Sequence, residues 1–199
     1  MAKQAEDQSY KIDLWTPEHD ATDFSSGMAS IDKYIKSQVQ RDVSSRASLV
    51  FVHTEPENKI IRAYYSLSAI GLVFAELPEK VQKKLPRYPQ VGATLLGRLG
   101  VDQNYRTSLL DKSGEKPRLC EHLLVDAQWR TLQGATTTAG AALMLIYAER
   151  PADEELASGI LDPLTFYTQY GFAPLPSNER RLFKLTRVIE REFSEAGLI

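Results

Sequence analysis

The sequence predicts an α/β protein in which a central, mixed and twisted β-sheet is flanked by helices on both faces. Residues 49–53 and 60–69 have the composition of two strands, and the proline and asparagine between them suit the turn of an antiparallel pair. Residues 141–148 form a near-continuous apolar run of strand length, which is typical of a strand buried on both faces. Strand and helix patterns then alternate, an order that favours helices packed against a sheet.

The first half of the chain predicts two helices among its strands. Residues 10–15 alternate apolar and polar side chains like a strand. After residues 24–27, apolar side chains recur at three- and four-residue steps, which predicts an amphipathic helix. Its apolar positions are Met28, Ile31, Tyr34, Ile35 and Val39. Residues 78–84 suit a short polar helix that ends at the prolines of residues 85–89, and residues 94–101 predict the next strand.

The second half predicts a long helix, a buried strand and a further helix. Residues 103–117 are polar and lack a clear pattern, and we interpret them as an inserted loop. Pro117 fits the first position of a helix, because its missing N–H costs nothing there. The elements after the strand at 141–148 are expected to be an acidic loop at 149–159, a helix at 161–170, a last strand at 182–188 and a C-terminal tail at 189–199. One domain is expected to span residues 1–199.

Composition restricts the class of protein. A chain of 199 residues suits one domain with a substantial core. The sequence has no apolar signal core and no run near the ~20 apolar residues of a membrane helix, so we expect no membrane association. One cysteine, Cys120, excludes an internal disulfide framework, and three scattered histidines argue against structural zinc. We therefore expect a metal-free protein of the reducing cytoplasm.

The charge of the chain gives no global attraction to nucleic acid. The formal net charge is -2, so any contact with RNA has to come from a local basic patch. The best candidate is a cluster of cations around the prolines of residues 85–89. Its members are Lys80, Lys83, Lys84 and Arg87.

Two separate segments suggest the chemistry of an active site. Residues 166–172 fit a helix that ends on a glycine and passes directly into a strand, and Tyr167 lies on its last turn. A phenol held there can protonate a leaving group. Residues 95–102 predict a buried strand that runs into a loop.

Together these segments resemble the GNAT superfamily of acyl-CoA-dependent N-acetyltransferases. The resemblance is sharpest to the toxin-like acetyltransferases of type II toxin–antitoxin modules, and it spans residues 24–172 in the expected order. The matching pieces are Phe24-Ser25-Ser26-Gly27 with Ile31-Asp32, Ala63-Tyr64-Tyr65-Ser66-Leu67-Ser68, Leu85-Pro86-Arg87-Tyr88-Pro89, Leu96-Gly97-Arg98-Leu99-Gly100-Val101-Asp102, and Phe166-Tyr167 with Gly171-Phe172. The shared order is more specific than any one piece.

The resemblance implies a reaction and a set of partners. Acetyl-CoA is the expected donor, and the expected acceptor is an amine, often that of an aminoacyl-tRNA in this branch. Tyr167 matches the general acid of the family, and the backbone of Leu99, Gly100 and Val101 matches the strand that contacts the pantetheine arm. The resemblance also implies a ribbon-helix-helix antitoxin and a homodimer as possible assemblies.

The sequence departs from the family at the loop that binds the pyrophosphate of CoA. Glu115-Lys116-Pro117-Arg118-Leu119-Cys120 stands where a glycine-rich loop is usual, and the connection from Asp102 is longer by about ten residues than the common 2 to 6. Pro117 removes an N–H donor, whereas Lys116 and Arg118 either pair with phosphate oxygens or are solvated charges. We assign Lys116, Arg118, Leu119 and Cys120 to the donor site.

Two questions stay open at this level. Arg98 either pairs with an acid such as Asp102 or faces the acceptor, and we group it with Lys83, Lys84 and Arg87 as a substrate-binding candidate. The altered loop also admits a second function, in which a catalytically impaired GNAT-fold protein acts as a binding or interaction module.

Overall fold

In the computed structural model, which describes residues 11–55, 58–105 and 119–199, seven strands form one mixed sheet. The strands are β1 (Ile12–Leu14), β2 (Leu49–Thr54), β3 (Ile61–Val73), β4 (Gln90–Val101), β5 (Leu143–Tyr147), β6 (Ala173–Leu175) and β7 (Asn178–Leu185). Their spatial order is β1-β2-β3-β4-β5-β7-β6. Neighbouring strands are antiparallel except β4 and β5, which are parallel.

Helices cover both faces of this sheet. They are α1 (Ala29–Lys33), α2 (Val39–Ser44), α3 (Glu79–Gln82), α4 (Leu119–Thr137), α5 (Asp153–Ala157), α6 (Pro163–Gln169) and α7 (Thr186–Glu195). A π-helical turn at Tyr34–Gln38 joins α1 to α2, and a 3-10 turn at Phe74–Glu76 follows β3. Within the described residues, no helix is both long and apolar enough to cross a membrane.

The core has two sides because strand residues alternate between the two faces. On the face that α4 and α7 cover, Tyr65 and Met144 pack with Leu123 and Phe193. We call it the α4 face. On the opposite face, the α1 face, Tyr64 packs under α1 and α2, while α3 lies near the far end of the sheet. The predicted mixed sheet with helices on both faces is confirmed.

Some boundaries differ from the sequence-based expectation. The expected loop at 149–159 contains the short helix α5, and the last strand ends at Leu185 because α7 begins at Thr186. Ile189 and Phe193 of α7 are buried one turn apart, and Phe193 contacts Trp129 of α4 with ring centroids 5.8 Å apart. This packing makes most of the predicted tail a helix.

The parallel strands β4 and β5 separate part-way along their length. They are in register from Ala93 opposite Leu143 to Leu96 opposite Ile146. Beyond Leu96, β4 continues beside β3 to Val101, without β5 at its other edge. The β3–β4 register shifts at the same place, because Ser66 is opposite Arg98 and Leu67 is opposite Leu96, which leaves Gly97 as the extra residue of a β-bulge. The bulge and the separation together open a gap in the sheet.

Candidate active site

A small cavity of about 40 Å³ lies in this gap. The residues that line it come from four parts of the chain, and they include Leu96, Arg98, Leu99, Tyr147, Glu149 and Tyr167. Three of the predicted site residues, Arg98, Leu99 and Tyr167, are therefore brought together although Tyr167 is far from the other two in sequence. Where parallel strands diverge, a sheet offers a cleft that a ligand can enter.

The open edge of β4 presents backbone groups to this gap. The amide of Asp102 donates to the carbonyl of Arg62 on β3, with an N–O distance of 2.8 Å. Amide directions alternate along an antiparallel strand, so Gly100 also points toward β3 while Leu99 and Val101 point away from it. Amides without a strand partner need another acceptor. Leu99 and Val101 are thus placed to bind an extended polar chain along β4.

Gly100 has a different role, which is to let α1 approach β4 closely. A Cβ atom at this position would lie 2.5 Å from Cγ2 of Ile31 on α1 and 3.3 Å from Cε1 of Tyr64. The Tyr64 hydroxyl donates to the carbonyl of Ile31 at 2.7 Å, which fixes α1 over the strand. The absence of a side chain at Gly100 therefore sets the position of one wall of the cavity.

The helix that carries Tyr167 is fixed at both ends. Asp162 caps its start, because its carboxylate accepts from the amide of Leu164 at 2.9 Å. The same carboxylate accepts two hydrogen bonds from Arg180 on β7, at 2.7 and 3.0 Å, and the first cause of its lowered pKa is this bonding. The helix ends at Gly171, whose φ of 79° suits glycine. Tyr167 is held in place as a result.

The Tyr167 side chain is 7% exposed and packs against aromatic rings. Its ring centroid lies 5.3 Å from that of Phe166 and 6.2 Å from that of Phe172. Burial raises the pKa of the Tyr167 hydroxyl above its usual range, and the nearby Cys120 thiol adds to this effect. A phenol with a raised pKa is protonated at neutral pH. The group at this position can therefore donate a proton.

Arg98 does not pair with Asp102. The Asp102 carboxylate is fully buried and accepts from the amides of Ser25 at 3.0 Å and Tyr105 at 2.8 Å. Arg98 instead donates to the carbonyl of Gly97 at 2.8 Å and lines the cavity. Of the two sequence-based alternatives for Arg98, pairing with Asp102 is therefore wrong, and a position facing the acceptor stays a prediction.

Arg98 also lies against an aromatic ring. Its guanidinium carbon is 5.7 Å from the ring centroid of Tyr34, which belongs to the cluster on the α1 face. Its Nε atom is buried without a hydrogen-bond partner within the described ranges. Since a buried donor without a partner is costly, a polar group of a ligand would stabilise it.

The cavity has two sides, and on the side of the α1 face sequence reasoning missed Tyr147. Leu143 and Leu145 of β5 face the cluster on the α1 face, and alternation places Tyr147 on that face too. Tyr167 belongs to the cluster on the α4 face. The cavity is thus lined by residues from both faces of the sheet. Tyr147 could have been predicted from its place at the carboxyl end of a buried strand.

Glu149 is the acid at the rim of the cavity. Its side chain is exposed, and Oε2 accepts from the hydroxyl of Ser30 on α1 at 3.0 Å. This bond joins the end of β5 to the wall that α1 forms. Glu149 is therefore a carboxylate within reach of an amine that enters from the α1 face. No sequence motif singled it out.

The donor-site residues at the start of α4 are described only in part. Leu119 is 1% exposed and belongs to the core, and Cys120 is partly buried against the same cluster. Their backbone amides belong to the first turn of a 19-residue helix, where the helix dipole favours an anion. Lys116 and Arg118 lie outside the described residues. The assignment of these four residues to CoA stays a prediction.

The basic patch lies away from the cavity. Lys83, Lys84 and Arg87 are exposed in the connection between α3 and β4. This connection leads to Gln90, seven residues before Gly97 along β4, which corresponds to roughly 20 Å at the usual rise per strand residue. The patch and Arg98 therefore do not form one contact surface with the reacting groups. Only an acceptor molecule that extends over this distance would contact both the basic patch and the cavity.

A larger cavity of about 440 Å³ lies elsewhere, between α4, α7 and the turn at Gly171. Its cation, Lys184, is buried and bonded to the Glu192 carboxylate at 2.5 Å and to the carbonyl of Tyr170 at 2.8 Å. Lys184 and Glu192 therefore already have each other as partners and are not free to bind a charged ligand. The smaller cavity is the better candidate for chemistry because it holds a proton donor, lies beside strand amides that point away from β3, and is lined from both faces of the sheet.

Comparison with known proteins agrees with this geometry. No protein-family model matches the chain. A probable toxin TacT from Sinorhizobium fredii is 27% identical over 165 residues, which are 83% of this chain and 84% of that protein. A tRNA-acetylating toxin from Mycobacterium tuberculosis is 29% identical over 169 residues, 84% of this chain and 87% of the toxin.

Solved structures extend the comparison to the fold. A KacT variant superposes with a TM-score of 0.73 at 21% identity, covering 92% of this chain and 98% of that one. The chain has the GNAT fold. AtaT complexed with acetyl-methionyl-tRNAfMet gives a TM-score of 0.70 at 25% identity, again covering 92% and 98%. AtaTR bound with acetyl-CoA gives 0.67 at 23% identity, covering 92% and 97%. The predicted resemblance to toxin-like GNAT acetyltransferases is confirmed.

Proposed function

We propose that the chain is an acetyl-CoA-dependent N-acetyltransferase of the toxin type, and that its acceptor is the amino group of an aminoacyl-tRNA. The observation that carries the proposal is the opening between β4 and β5, which places a protonated phenol beside free strand amides. The acetyltransferase class and the donor also have the support of the relatives' names. The identity of the acceptor goes beyond this support and is proposed from the resemblance and the geometry of the site.

The residues of the chain fit the donor. Leu99 and Val101 are placed to hold the amide groups of the pantetheine arm along β4, and the bulge at Gly97 marks where that strand edge meets the cavity. Acetyl-CoA, when bound, supplies an activated thioester. The first-turn amides of Leu119 and Cys120 would face its phosphates at the start of α4.

Proton transfer falls to two residues on opposite sides of the opening. During transfer a C–N bond to the acetyl group forms and its C–S bond breaks. Tyr167 donates its phenolic proton to the departing sulfur, while Glu149, directly or through water, accepts the proton that the attacking nitrogen loses. Solvent then returns a proton to Tyr167 and takes the proton from Glu149, so both groups regain their starting states.

The proposal predicts acetylation of charged tRNA but not of deacylated tRNA. We would incubate the protein with isotopically labelled acetyl-CoA and aminoacyl-tRNA, digest the RNA and detect N-acetylaminoacyl-adenosine by mass spectrometry. Calorimetric titration with acetyl-CoA alone distinguishes the second function, because an enzyme should bind the donor at micromolar levels. Absence of binding heat together with absence of product would favour the impaired interaction module.

A second prediction concerns the basic patch. Charge reversal at Lys83, Lys84 and Arg87 should weaken tRNA binding and flatten its dependence on salt, because each lost phosphate contact lowers the slope by about 1. Binding would be measured between about 50 and 200 mM salt. Arg191→Glu on α7 is the matched control, since this exposed cation lies on another surface. If the slope of the triple variant equals that of the wild type, the patch does not bind RNA.

The proposal includes the partners that the resemblance implies, a ribbon-helix-helix antitoxin and a second copy of the chain. Induced expression should then arrest growth, and co-expression of the neighbouring short reading frame should restore it. Expression of Tyr167→Phe should be tolerated without the antitoxin. We would record growth curves of strains that express the wild type alone, the wild type with the neighbouring frame, and Tyr167→Phe alone. Arrest in the first strain only would indicate toxicity by acetylation, and arrest in the Tyr167→Phe strain as well would indicate toxicity by overexpression.

A further inference from the structure

Tyr147 has features that the proposed chemistry does not use. It is the last residue of β5 and 41% exposed, whereas Leu143 and Leu145 below it on the same face are fully buried. Its side chain lines the cavity that also holds Tyr167. A half-exposed aromatic ring at the rim of a reaction site offers a flat apolar surface to whatever enters from the α1 face.

A cation and an acid hold the ring in place. Arg181 lies opposite Tyr147 in the β5–β7 register, and its guanidinium carbon is 5.4 Å from the ring centroid. Arg181 is paired in turn with Glu76, in the 3-10 turn that follows β3. The ring is thus supported by a charge whose own position is fixed. Such support preorganises an aromatic surface for binding, because less side-chain freedom is lost when the ligand arrives.

We infer that Tyr147 is the stacking surface for the terminal nucleobase of the acceptor RNA. The inference rests on the proposed function, since an aminoacyl-tRNA carries its amino acid on the terminal ribose. With the amino group at the cavity, the short ester brings that nucleoside to the rim on the α1 face. Unpaired RNA bases are commonly bound by stacking on aromatic rings and on arginine.

The charges on this side suit RNA better than an apolar peptide. Arg98 and Arg181 lie beside the opening on the α1 face, where Glu149 is the exposed acid at the rim, and the negative charge of Glu76 is already paired with Arg181. Lys83, Lys84 and Arg87 follow α3, which packs on the same face. A strand of RNA that leaves the cavity past Tyr147 toward α3 would therefore meet these cations.

The test uses two RNA minihelices that differ only in the terminal nucleotide of a single-stranded 3′ end. Fluorescence anisotropy without donor should show that the wild type prefers the complete RNA by about 5- to 150-fold, the range that one stacked base provides. Tyr147→Ala should lose most of this preference, while Tyr147→Phe should keep it because the ring remains. Tyr88→Ala, at an exposed tyrosine in the connection between α3 and β4, should also keep this preference for the complete RNA.

The outcomes separate this inference from the proposed function. A wild-type preference that persists in Tyr147→Ala would overturn the stacking inference, even if acetylation of the variant fell, because the ring would then serve the aminoacyl group or the fold. A preference that depends on Tyr147 in a protein that acetylates no charged tRNA would support the RNA contact and refute the enzyme assignment. Thermal melts of both variants check that the fold is intact.

Discussion

Replacing Tyr167 with Phe is expected to lower kcat for acetyl transfer about 100-fold, the low end of the range for general acid catalysis. Donor affinity should hardly change, because the substitution removes one hydroxyl and keeps the ring that packs against Phe166 and Phe172. Steady-state kinetics and calorimetry with acetyl-CoA would measure the two quantities separately. A loss in kcat without a loss in donor binding identifies an interaction made in the transition state.

Tyr88→Phe is the control for this experiment, since it removes a hydroxyl from an exposed ring away from the cavity. If Tyr167→Phe turns over like the wild type, the phenol is not the acid. The pH profile gives an independent check. Burial raises the pKa of Tyr167, so the acid stays protonated as the pH rises from 6 to 9, and activity in this range should increase as the acceptor amine loses its proton.

Gly100→Ala is expected to lower the free energy of unfolding by about 1–3 kcal/mol, the usual cost of inserting a methyl group into a packed core. The added carbon would lie 2.5 Å from Ile31 Cγ2 and 3.4 Å from Cζ of Phe24. The hydrogen bond between Tyr64 and the Ile31 carbonyl opposes a shift of α1. Urea denaturation would show the change as a lower midpoint.

Gly134→Ala provides the matched control with the opposite sign. Gly134 lies inside α4, and apart from its chain neighbours and the backbone of the helix, no heavy atom of the described residues is within 4 Å of a Cβ built there. Alanine should therefore raise the free energy of unfolding by up to about 1 kcal/mol, because glycine is the poorer helix former. Equal denaturation midpoints for the two variants would contradict the close approach of α1 to β4.

The strands and helices that the sequence predicted well are those with a strong local pattern. The apolar run at 141–148 contains β5, and the residues around Tyr167 form the expected helix that ends at Gly171. The strand expected directly after Gly171 is confirmed as the edge strand β6, but the sequence did not give its bounds, because it has three residues and contains Pro174, which weakens a strand pattern. The start of α7 was misplaced because its boundary depends on packing against α4.

The site was predictable only where one residue type carries the chemistry. Tyr167 stood out because of its motif, whereas the partners of Asp102 are backbone amides of Ser25 and Tyr105 that no side-chain pattern reveals. Tyr147 and Glu149 join the cavity through the separation of β4 and β5, which is a long-range property of the sheet. A single sequence contains no local signal for that separation.

A gap that is lined from both faces of a sheet has a kinetic consequence under the proposed function. Tyr167 belongs to one face and Tyr147 to the other, so we expect the donor and the acceptor to enter from opposite faces. Neither product would then have to wait for the other to clear a shared path. A molecule that blocks one entrance should therefore compete with one substrate and leave the binding of the other intact.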